Sequence, residues 1–242
     1  RARELALQCG VPVMPGLNEA TTLNQAQSFF QAQGGAGIMI KALGGGGGRG
    51  MRAVFNAQDL PSAFERCTSE ARAAFGVEGV YVERLMARAR HIEIQVLGDG
   101  QQVISLGERE CSLQRRFQKL IEIAPSPNLR PELKESITQA ALRMATACGY
   151  QSLGTFEFLV DTEDSDVPWV FIEANPRLQV EHTVTEEVTG LDLVQLQIQV
   201  AAGQQLKYLG LPKAPVPTRG YAIQMRIGAE TLLPDGSTLP SS

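Results

Sequence analysis

The sequence predicts an α+β fold, in which a small unit with a glycine-rich hairpin precedes a larger antiparallel sheet. The first observation is a run of five glycines, Gly44 to Gly48, between two strand-like segments. The second is a series of strand-like segments after Gly79 joined by short turns, which is typical of antiparallel neighbours. The third is that segments with apolar residues at helical spacing lie among these strands.

The first 75 residues are predicted to form a lead-in and most of the small unit. In order, we expect a helix over 1–9, a helix capped by Asn18 or Thr21 that runs to about 33, a strand over 37–43, a returning strand over 49–55 and a helix over 59–75. The glycine run is then the tip of a hairpin.

The remaining residues are predicted to form the sheet and its helices. In order, we expect strands over 80–85, 91–97 and 103–106, a polar loop over 108–116, a strand near 120–124, a helix over 131–148, strands over 152–160 and 168–174, a helix over 191–202, a proline-rich connection over 211–217 and a strand over 221–227.

These elements divide the chain into three parts. Residues 1–14 are a lead-in helix and linker, 15–85 are the small unit, and 86–242 are the core with the start of a further region. Because the chain begins without Met and ends in Leu-Pro-Ser-Ser, we expect it to be a piece of a longer polypeptide.

Composition narrows the class of protein. At 242 residues with 43% hydrophobic residues, the chain can bury a core. Its net charge of -4 and the lack of a basic run argue against a nucleic-acid partner. No apolar stretch is long enough to suggest a membrane span. The four cysteines are far apart, as in reduced proteins of the cytoplasm or an organelle matrix.

The glycine run is a candidate anion-binding loop. Successive bare N–H groups can cradle a phosphate, and Lys41 and Arg49 flank the loop with positive charge. The sequence lacks the Gly-Lys-Ser or Gly-Lys-Thr of a P-loop, so a flap that closes over a nucleotide fits better. A disordered linker is the alternative.

Three oxygen-bearing side chains form a candidate metal site. Glu173 and Asn175 share one face of a strand, and Glu157 can lie opposite Glu173 on the neighbouring strand. Two close carboxylates require a cation, and oxygen ligands suit Mg²⁺. A salt bridge at Glu157, or a strand that ends in a solvated polar loop, is the alternative. If the backbone stays extended, Arg177, Gln179 and Glu181 continue the same register.

Other polar residues do not decide a function by themselves. The stretch from Cys111 to Lys119 suits an anion, and an exposed basic loop is equally compatible. His91 and Arg226 are also ambiguous alone.

Taken together and in order, these motifs resemble the biotin carboxylase component of biotin-dependent carboxylases, within the ATP-grasp superfamily. The matching segments are 40–51 with the glycine loop, Glu83, 90–96, 110–116, 154–158, 173–182 and Arg226. The run Arg-Leu-Gln-Val-Glu-His at 177–182 is particular to biotin carboxylases.

The resemblance implies an ATP-grasp fold and an ATP-dependent ligase. ATP would activate bicarbonate to carboxyphosphate, and CO₂ would be captured by the ureido nitrogen of biotin on a carrier domain. The implied cofactors are ATP, Mg²⁺ or Mn²⁺, and carrier-bound biotin as substrate. The implied partners are the biotin carrier domain, a carboxyltransferase and a second copy in a homodimer.

The resemblance also implies a role for each motif residue. Nucleotide contacts would be Lys41, Gly45, Gly46, Gly47, Gly48, Glu83, Met86, His91 and Gln114. Metal ligands would be Glu157, Glu173 and Asn175. Bicarbonate would be held by Lys119, Arg177, Gln179 and the backbone of Val180, while Glu181 would be the general base and Arg226 would stabilise the biotin enolate.

The chain departs from the family pattern at three positions. Phe117 and Tyr221 stand where histidine is common, and Ile123 replaces a frequent glutamate. The family's N-terminal nucleotide-fold domain is expected before Arg1, and its C-terminal domain is expected to continue past Ser242. Two other functions stay open: a ligase of the carbamoyl-phosphate-forming type, and a nucleotide-binding module without turnover.

Overall fold

The structure is a computed structural model, and it describes residues 1–17, 19–44, 50–76, 79–115, 117–163, 167–211, 215–234 and 238–240. Its helices are α1 Ala2–Gln8, α2 Leu23–Ala32, α3 Leu60–Phe75, α4 Pro131–Ala147, α5 His182–Thr189 and α6 Leu193–Ala201. Its strands are β1 Ile38–Ala42, β2 Met51–Val54, β3 Val80–Arg84, β4 Ala89–Asp99, β5 Val103–Arg115, β6 Gln118–Ala124, β7 Gln151–Asp161, β8 Trp169–Asn175, β9 Ala222–Met225, β10 Glu230–Leu232 and β11 Thr238–Pro240.

The small unit is a three-stranded sheet in the order β2-β1-β3, covered by α2 and α3. β1 pairs antiparallel with β2, which confirms the predicted hairpin on either side of the glycine run. Ile38, Ile40 and Val82 are buried between this sheet and the helices. The tip of the hairpin, 45–49, lies outside the described residues.

The N-cap of α2 lies one residue after Thr21, one of the two predicted caps. Thr22 is the N-cap, and its side chain accepts a hydrogen bond from the backbone N–H of Gln25. The Gln25 side chain accepts from the Thr22 backbone in return, which completes a capping box. Thr21 instead donates its hydroxyl to the Glu19 carbonyl, so the predicted cap at Thr21 is wrong, and Asn18 lies outside the described residues.

The large unit is a six-stranded antiparallel sheet in the order β8-β7-β4-β5-β6-β9. One face packs on α1 and α4 through residues such as Ile92, Ile94 and Phe158. The opposite face packs on α6 through Leu97 and Leu153. Successive side chains of these strands therefore enter two apolar layers in turn, except where polar side chains face the small unit.

The linker after α1 connects the two sheets. The Phe171 N–H of β8 donates to the Pro12 carbonyl, and the Arg84 N–H of β3 donates to the Pro15 carbonyl, each at 2.8 Å. Gly16 lies so close to β3 that an added Cβ would be 2.6 Å from the Val82 oxygen. A side chain at this position would push the two sheets apart.

The predicted polar loop at 108–116 is wrong, because β5 continues through Arg115. Three of its charged residues, Glu108, Arg109 and Glu110, are buried and paired: Glu108 contacts Lys134 on α4, and Glu110 contacts Arg90 on β4. Charge in this segment reflects ion pairs inside the protein, whereas the sequence interpretation took it as exposure to water.

The chain also leaves the extended register after Asn175, contrary to the condition set on Arg177, Gln179 and Glu181. Pro176 follows the end of β8, and the Arg177 N–H turns back to the Asn175 carbonyl at 2.9 Å. A helix, α5, then starts after Glu181, and the single predicted helix over 191–202 is α6 alone.

The four cysteines are unpaired, as predicted. Within the described ranges, the helices are too short or too polar to cross a bilayer.

Candidate active site

A cleft of about 1260 Å³ lies between the small sheet and the large one. Every predicted site residue that the structure describes lines it. These are Lys41, Glu83, Met86, His91, Gln114, Lys119, Glu157, Glu173, Asn175, Arg177, Gln179, Val180, Glu181 and Arg226. The predicted Gly45, Gly46, Gly47 and Gly48 lie outside the described residues.

Lys119 is the central cation of the cleft floor. Its Nζ lies 2.5 Å from Glu93, 2.9 Å from Glu157 and 2.8 Å from Glu181. The side chain is only 11% exposed, and although burial opposes its charge, the surrounding carboxylates raise its pKa well above the usual range. Lys119 therefore stays charged and holds three carboxylates from three different elements.

Glu93 and Arg109 are parts of this floor that the sequence analysis missed. Glu93 on β4 and Arg109 on β5 are both fully buried, with Arg109 Nε 2.5 Å from Glu93 Oε1. Arg109 also donates to Gln95 and to the Thr185 hydroxyl of α5, each at 2.8 Å. The signal was the alternation His91-Ile92-Glu93-Ile94-Gln95, whose polar members share one face of β4.

Glu157 and Glu173 face each other across the β7 and β8 pair, as the sequence predicted. Burial and the Glu157 charge raise the pKa of Glu173. Burial also opposes ionisation of Glu157, but His91 and Lys119 outweigh it and hold the Glu157 pKa low. Two carboxylates in this arrangement repel each other unless a cation lies between them.

Asn175 completes an oxygen-rich group that fits a divalent metal. Its amide nitrogen donates to Glu157 at 2.8 Å and to Glu173 at 3.2 Å. A half-turn of the amide would present oxygen instead, so all three side chains can offer oxygen to a hard cation such as Mg²⁺. A second combination is possible, because ligand atoms of His91, Glu93 and Glu157 lie within 4.8 Å of one another.

His91 is held in one orientation by two side chains. Gln114 Nε2 lies 2.7 Å from His91 Nδ1, and His91 Nε2 lies 2.6 Å from Glu157 Oε2. Since the Gln114 amide donates to Nδ1, Nε2 carries the proton and donates to Glu157. His91 and Gln114 thus form one chain of contacts that ends at the candidate metal group.

The small sheet contributes an ion pair to the opposite wall. Lys41 on β1 contacts Glu83 on β3, and both side chains are largely buried. Arg3 of α1 lies 3.6 Å from the same carboxylate. Lys41 therefore lines the cleft with its ammonium group held in place by the Glu83 carboxylate.

The loop after β8 has both buried and exposed members. Gln179 is buried and donates to Glu157 at 3.3 Å while it accepts from Thr155 at 2.5 Å. Arg177 and Val180 are exposed, and Arg177 Nη1 donates to the Leu178 carbonyl at 3.2 Å. Two of these neighbours can therefore meet a ligand that enters from solvent.

Glu181 immediately precedes α5, and its side chain contacts two cations. It lies 2.8 Å from Lys119 and 2.7 Å from Arg226 Nη2. Burial opposes its ionisation, but Lys119 and Arg109 lower its pKa overall. Arg226 also lies 2.6 Å from Glu122 on β6.

The floor carries more negative than positive charge. We call the five residues Glu93, Glu122, Glu157, Glu173 and Glu181 the carboxylate cluster. The permanent cations that contact the cluster in the described part of the chain are Lys119, Arg109 and Arg226. With all five carboxylates ionised, three cations leave two negative charges, which one divalent cation balances.

The sequence also matches a known family. Residues 1–209 match the family described as "Carbamoyl-phosphate synthase L chain, ATP binding domain". The chain belongs to this family.

Two curated relatives of similar sequence are pyruvate carboxylases. The chain is 49% identical over 230 residues to pyruvate carboxylase of Aspergillus terreus, which covers 95% of the chain and 19% of the relative. It is 50% identical over 235 residues to pyruvate carboxylase of Bacillus subtilis strain 168, at 95% and 20% coverage. The chain thus spans about a fifth of the length of these relatives.

Two solved structures that share this fold are described as a biotin carboxylase and a biotin carboxylase domain. Campylobacter jejuni biotin carboxylase, described as a β,γ-ATP complex, has a TM-score of 0.87 at 42% identity. The match covers 96% of this chain and 50% of the Campylobacter chain. The biotin carboxylase domain dimer of Hydrogenobacter thermophilus 2-oxoglutarate carboxylase, with MgADP, ADP and bicarbonate, has a TM-score of 0.86 at 42% identity, with 95% and 50% coverage. The predicted α+β ATP-grasp fold and the resemblance to a biotin carboxylase component are confirmed.

Proposed function

We propose that the chain is the ATP-grasp part of a biotin carboxylase, which uses ATP to carboxylate carrier-bound biotin with bicarbonate. The observation that carries this proposal is the cleft floor, where Lys119 holds Glu93, Glu157 and Glu181 together below a cleft that spans two sheets. Phosphoryl transfer needs such positioning and charge neutralisation more than covalent chemistry.

The nucleotide is assigned to the small-sheet side of the cleft. Lys41, Glu83 and Met86 line that side, His91 and Gln114 face it from the large sheet, and Gly45 to Gly48 would cover the phosphates. Glu157, Glu173 and Asn175 would hold Mg²⁺ or Mn²⁺. When bound, the ion supplies charge neutralisation to the transferring phosphoryl group.

Bicarbonate is assigned to the floor beside the loop after β8. Lys119 and Arg177 would attract the anion, and Gln179 and the Val180 backbone would orient it. Glu181 would take its proton, because a carboxylate there lies within 2.8 Å of the Lys119 ammonium that also holds the anion. Arg226, which contacts Glu181, would stabilise the biotin enolate.

The partners are part of the same proposal. We infer a biotin carrier domain and a carboxyltransferase, since carboxylated biotin must deliver its CO₂ to an acceptor. The homodimer is suggested by the dimeric carboxylase domain among the structural relatives.

The test measures phosphate release by the full-length polypeptide with ATP and MgCl₂. We expect release to require bicarbonate and to rise when free biotin is added. Release that ignores biotin but rises with ammonia would instead favour the carbamoyl-phosphate-forming type. ATP binding without release under any condition would favour the nucleotide-binding module.

A further inference from the structure

Glu122 is a buried carboxylate at the floor of the cleft to which neither the motifs nor the resemblance gives a role. It is 0% exposed, and among the described residues neither of its oxygens has an aligned hydrogen-bond partner. Burying a carboxylate without such a partner is unfavourable, so its presence needs a reason beyond packing.

The near neighbour of Glu122 is Arg226. Glu122 Oε1 lies 2.6 Å from Arg226 Nε, but this nitrogen also lacks an aligned hydrogen bond. The other side of the guanidinium donates to Glu181 through Nη2 at 2.7 Å. One arginine is therefore shared by two carboxylates, and its aligned bond goes to Glu181.

In the described part of the chain, the charged groups that act on Glu122 and Glu181 belong to the floor. Glu122 faces Arg226, with Glu181 and Glu93 adding like charge. Glu181 faces Lys119 and Arg109 in addition to Arg226. Burial raises the pKa of Glu122, and the Arg226 charge only partly offsets it.

We propose that Glu122 is a positioning residue that draws Arg226 away from Glu181, so that Glu181 is free to take the bicarbonate proton and Arg226 is free to meet biotin. This inference rests on the proposed function. A base paired closely to a guanidinium is weakened, and a guanidinium held by that base cannot turn to a second ligand. Glu122 Oε1 is already within hydrogen-bond distance of Arg226 Nε, so a reorientation of the guanidinium would exchange its bond to Glu181 for one to Glu122.

The test is Glu122→Gln in the full-length polypeptide, followed by the pH dependence of kcat/KM for bicarbonate in biotin-dependent ATP hydrolysis. With the Glu122 charge removed, Arg226 stays on Glu181. We expect the acidic limb to shift to lower pH and the plateau to fall about tenfold, as part of the proton-transfer contribution is lost. KM for ATP should stay within about twofold, since the nucleotide contacts are unchanged.

Two variants serve as controls. Glu108→Gln changes another buried glutamate, which pairs with Lys134 of α4 at 2.9 Å on the opposite face of the sheet. It should leave the pH profile in place. Glu122→Asp keeps the charge and should move the acidic limb back towards the wild type.

Thermal unfolding separates positioning from a structural role. Because the folded-state pKa of Glu122 is raised, its charge disfavours the fold above that pKa, and this penalty fades as pH falls and the group protonates. Glu122→Gln should therefore unfold at the same or a higher temperature than the wild type at pH 8, with a smaller difference at pH 5. A structural role predicts a lower unfolding temperature together with lower activity.

Three outcomes overturn the inference. If the wild type is active and Glu122→Gln has the same pH profile of kcat/KM for bicarbonate, the inference is wrong and the proposed function stands. A Glu122→Gln variant that unfolds at clearly lower temperature at pH 8 ends it as well. A wild type without biotin-dependent turnover ends both.

Discussion

Replacing Lys119 with methionine removes a cation that three buried carboxylates share. Glu93, Glu157 and Glu181 lie 2.5 to 2.9 Å from its Nζ, and the side chain is 11% exposed, so solvent screens the cluster weakly. Without the Lys119 charge the three carboxylates repel one another. Protonation of one of them removes most of this repulsion.

The cost of that proton sets the magnitude. For a glutamate with an unfolded pKa of about 4.3, protonation costs about 3.7 kcal/mol at pH 7 and about 1 kcal/mol at pH 5. The first figure agrees with the roughly 3 to 5 kcal/mol found when one partner of a buried pair is removed. We therefore expect the stability loss at pH 7 to be several times the loss at pH 5.

The sign of this pH dependence follows from the pKa directions. In the wild type, Glu157 and Glu181 have lowered pKa values, so their stabilisation is present at neutral pH and fades only as pH falls below the ordinary range. In the variant, the cluster has a raised pKa, so the folded state gains stability relative to the unfolded chain as pH falls. The gap between the two proteins closes in acid.

Hydrogen exchange of the full-length polypeptide measures this locally. Protection of β4 and β7 amides, corrected for intrinsic rates, should fall about 500-fold at pH 7 and about fivefold at pH 5. Arg88→Met is the matched control: its side chain is 74% exposed and pairs with Glu163, which is 57% exposed, so we expect a loss of at most about 1 kcal/mol. A loss below about threefold at pH 7, or an equal loss at both pH values, would refute the shared-cation reasoning.

Three further predictions concern single side chains. Glu181→Gln should lower biotin-dependent ATP hydrolysis by at least about 100-fold and leave ATP affinity within about threefold in a calorimetric titration, because it removes a base and no nucleotide contact; near-normal turnover would remove Glu181 as the base. Glu173→Gln should raise the Mg²⁺ concentration for half-maximal activity by about tenfold while it raises the metal-free unfolding temperature, because it removes a ligand and a repulsive charge; an unchanged Mg²⁺ requirement would contradict the metal assignment. Thr22→Ala should destabilise α2 by about 1 kcal/mol, measured by hydrogen exchange of its first turn, with Thr21→Ala as the control; equal effects of the two would argue against the observed cap.

The sequence predicted the features that depend on local pattern. The β1 and β2 hairpin follows from the glycines between two apolar segments, and the facing of Glu157 and Glu173 follows from strand alternation and antiparallel pairing. The remaining site residues were predicted from the order of the motifs and the family resemblance, and those that the structure describes all line the cleft.

The features that depend on burial of charge were missed. The polar composition of β5 suggested a loop, although Arg109 is fully buried against Glu93, whose partner could not be known before the strands were paired. Helix α5 was missed because it begins at His182, the last residue of a motif whose preceding residues were considered in an extended register, and the turn at Pro176 becomes clear only in three dimensions. Long-range pairing decides both cases, and local pattern does not contain it.

The facing of Glu157 and Glu173 has a consequence for how this protein changes over evolutionary time. Burial and the facing Glu157 charge raise the pKa of Glu173, so an ionised Glu173 makes the ligand-free fold less stable than it could be, and a neutral substitution at this position would relieve that penalty. Selection for folding alone would therefore favour loss of the Glu173 charge. Under the proposed metal assignment, a glutamate kept at position 173 in a descendant marks retained metal-dependent chemistry, and a glutamine there marks a copy that has lost it.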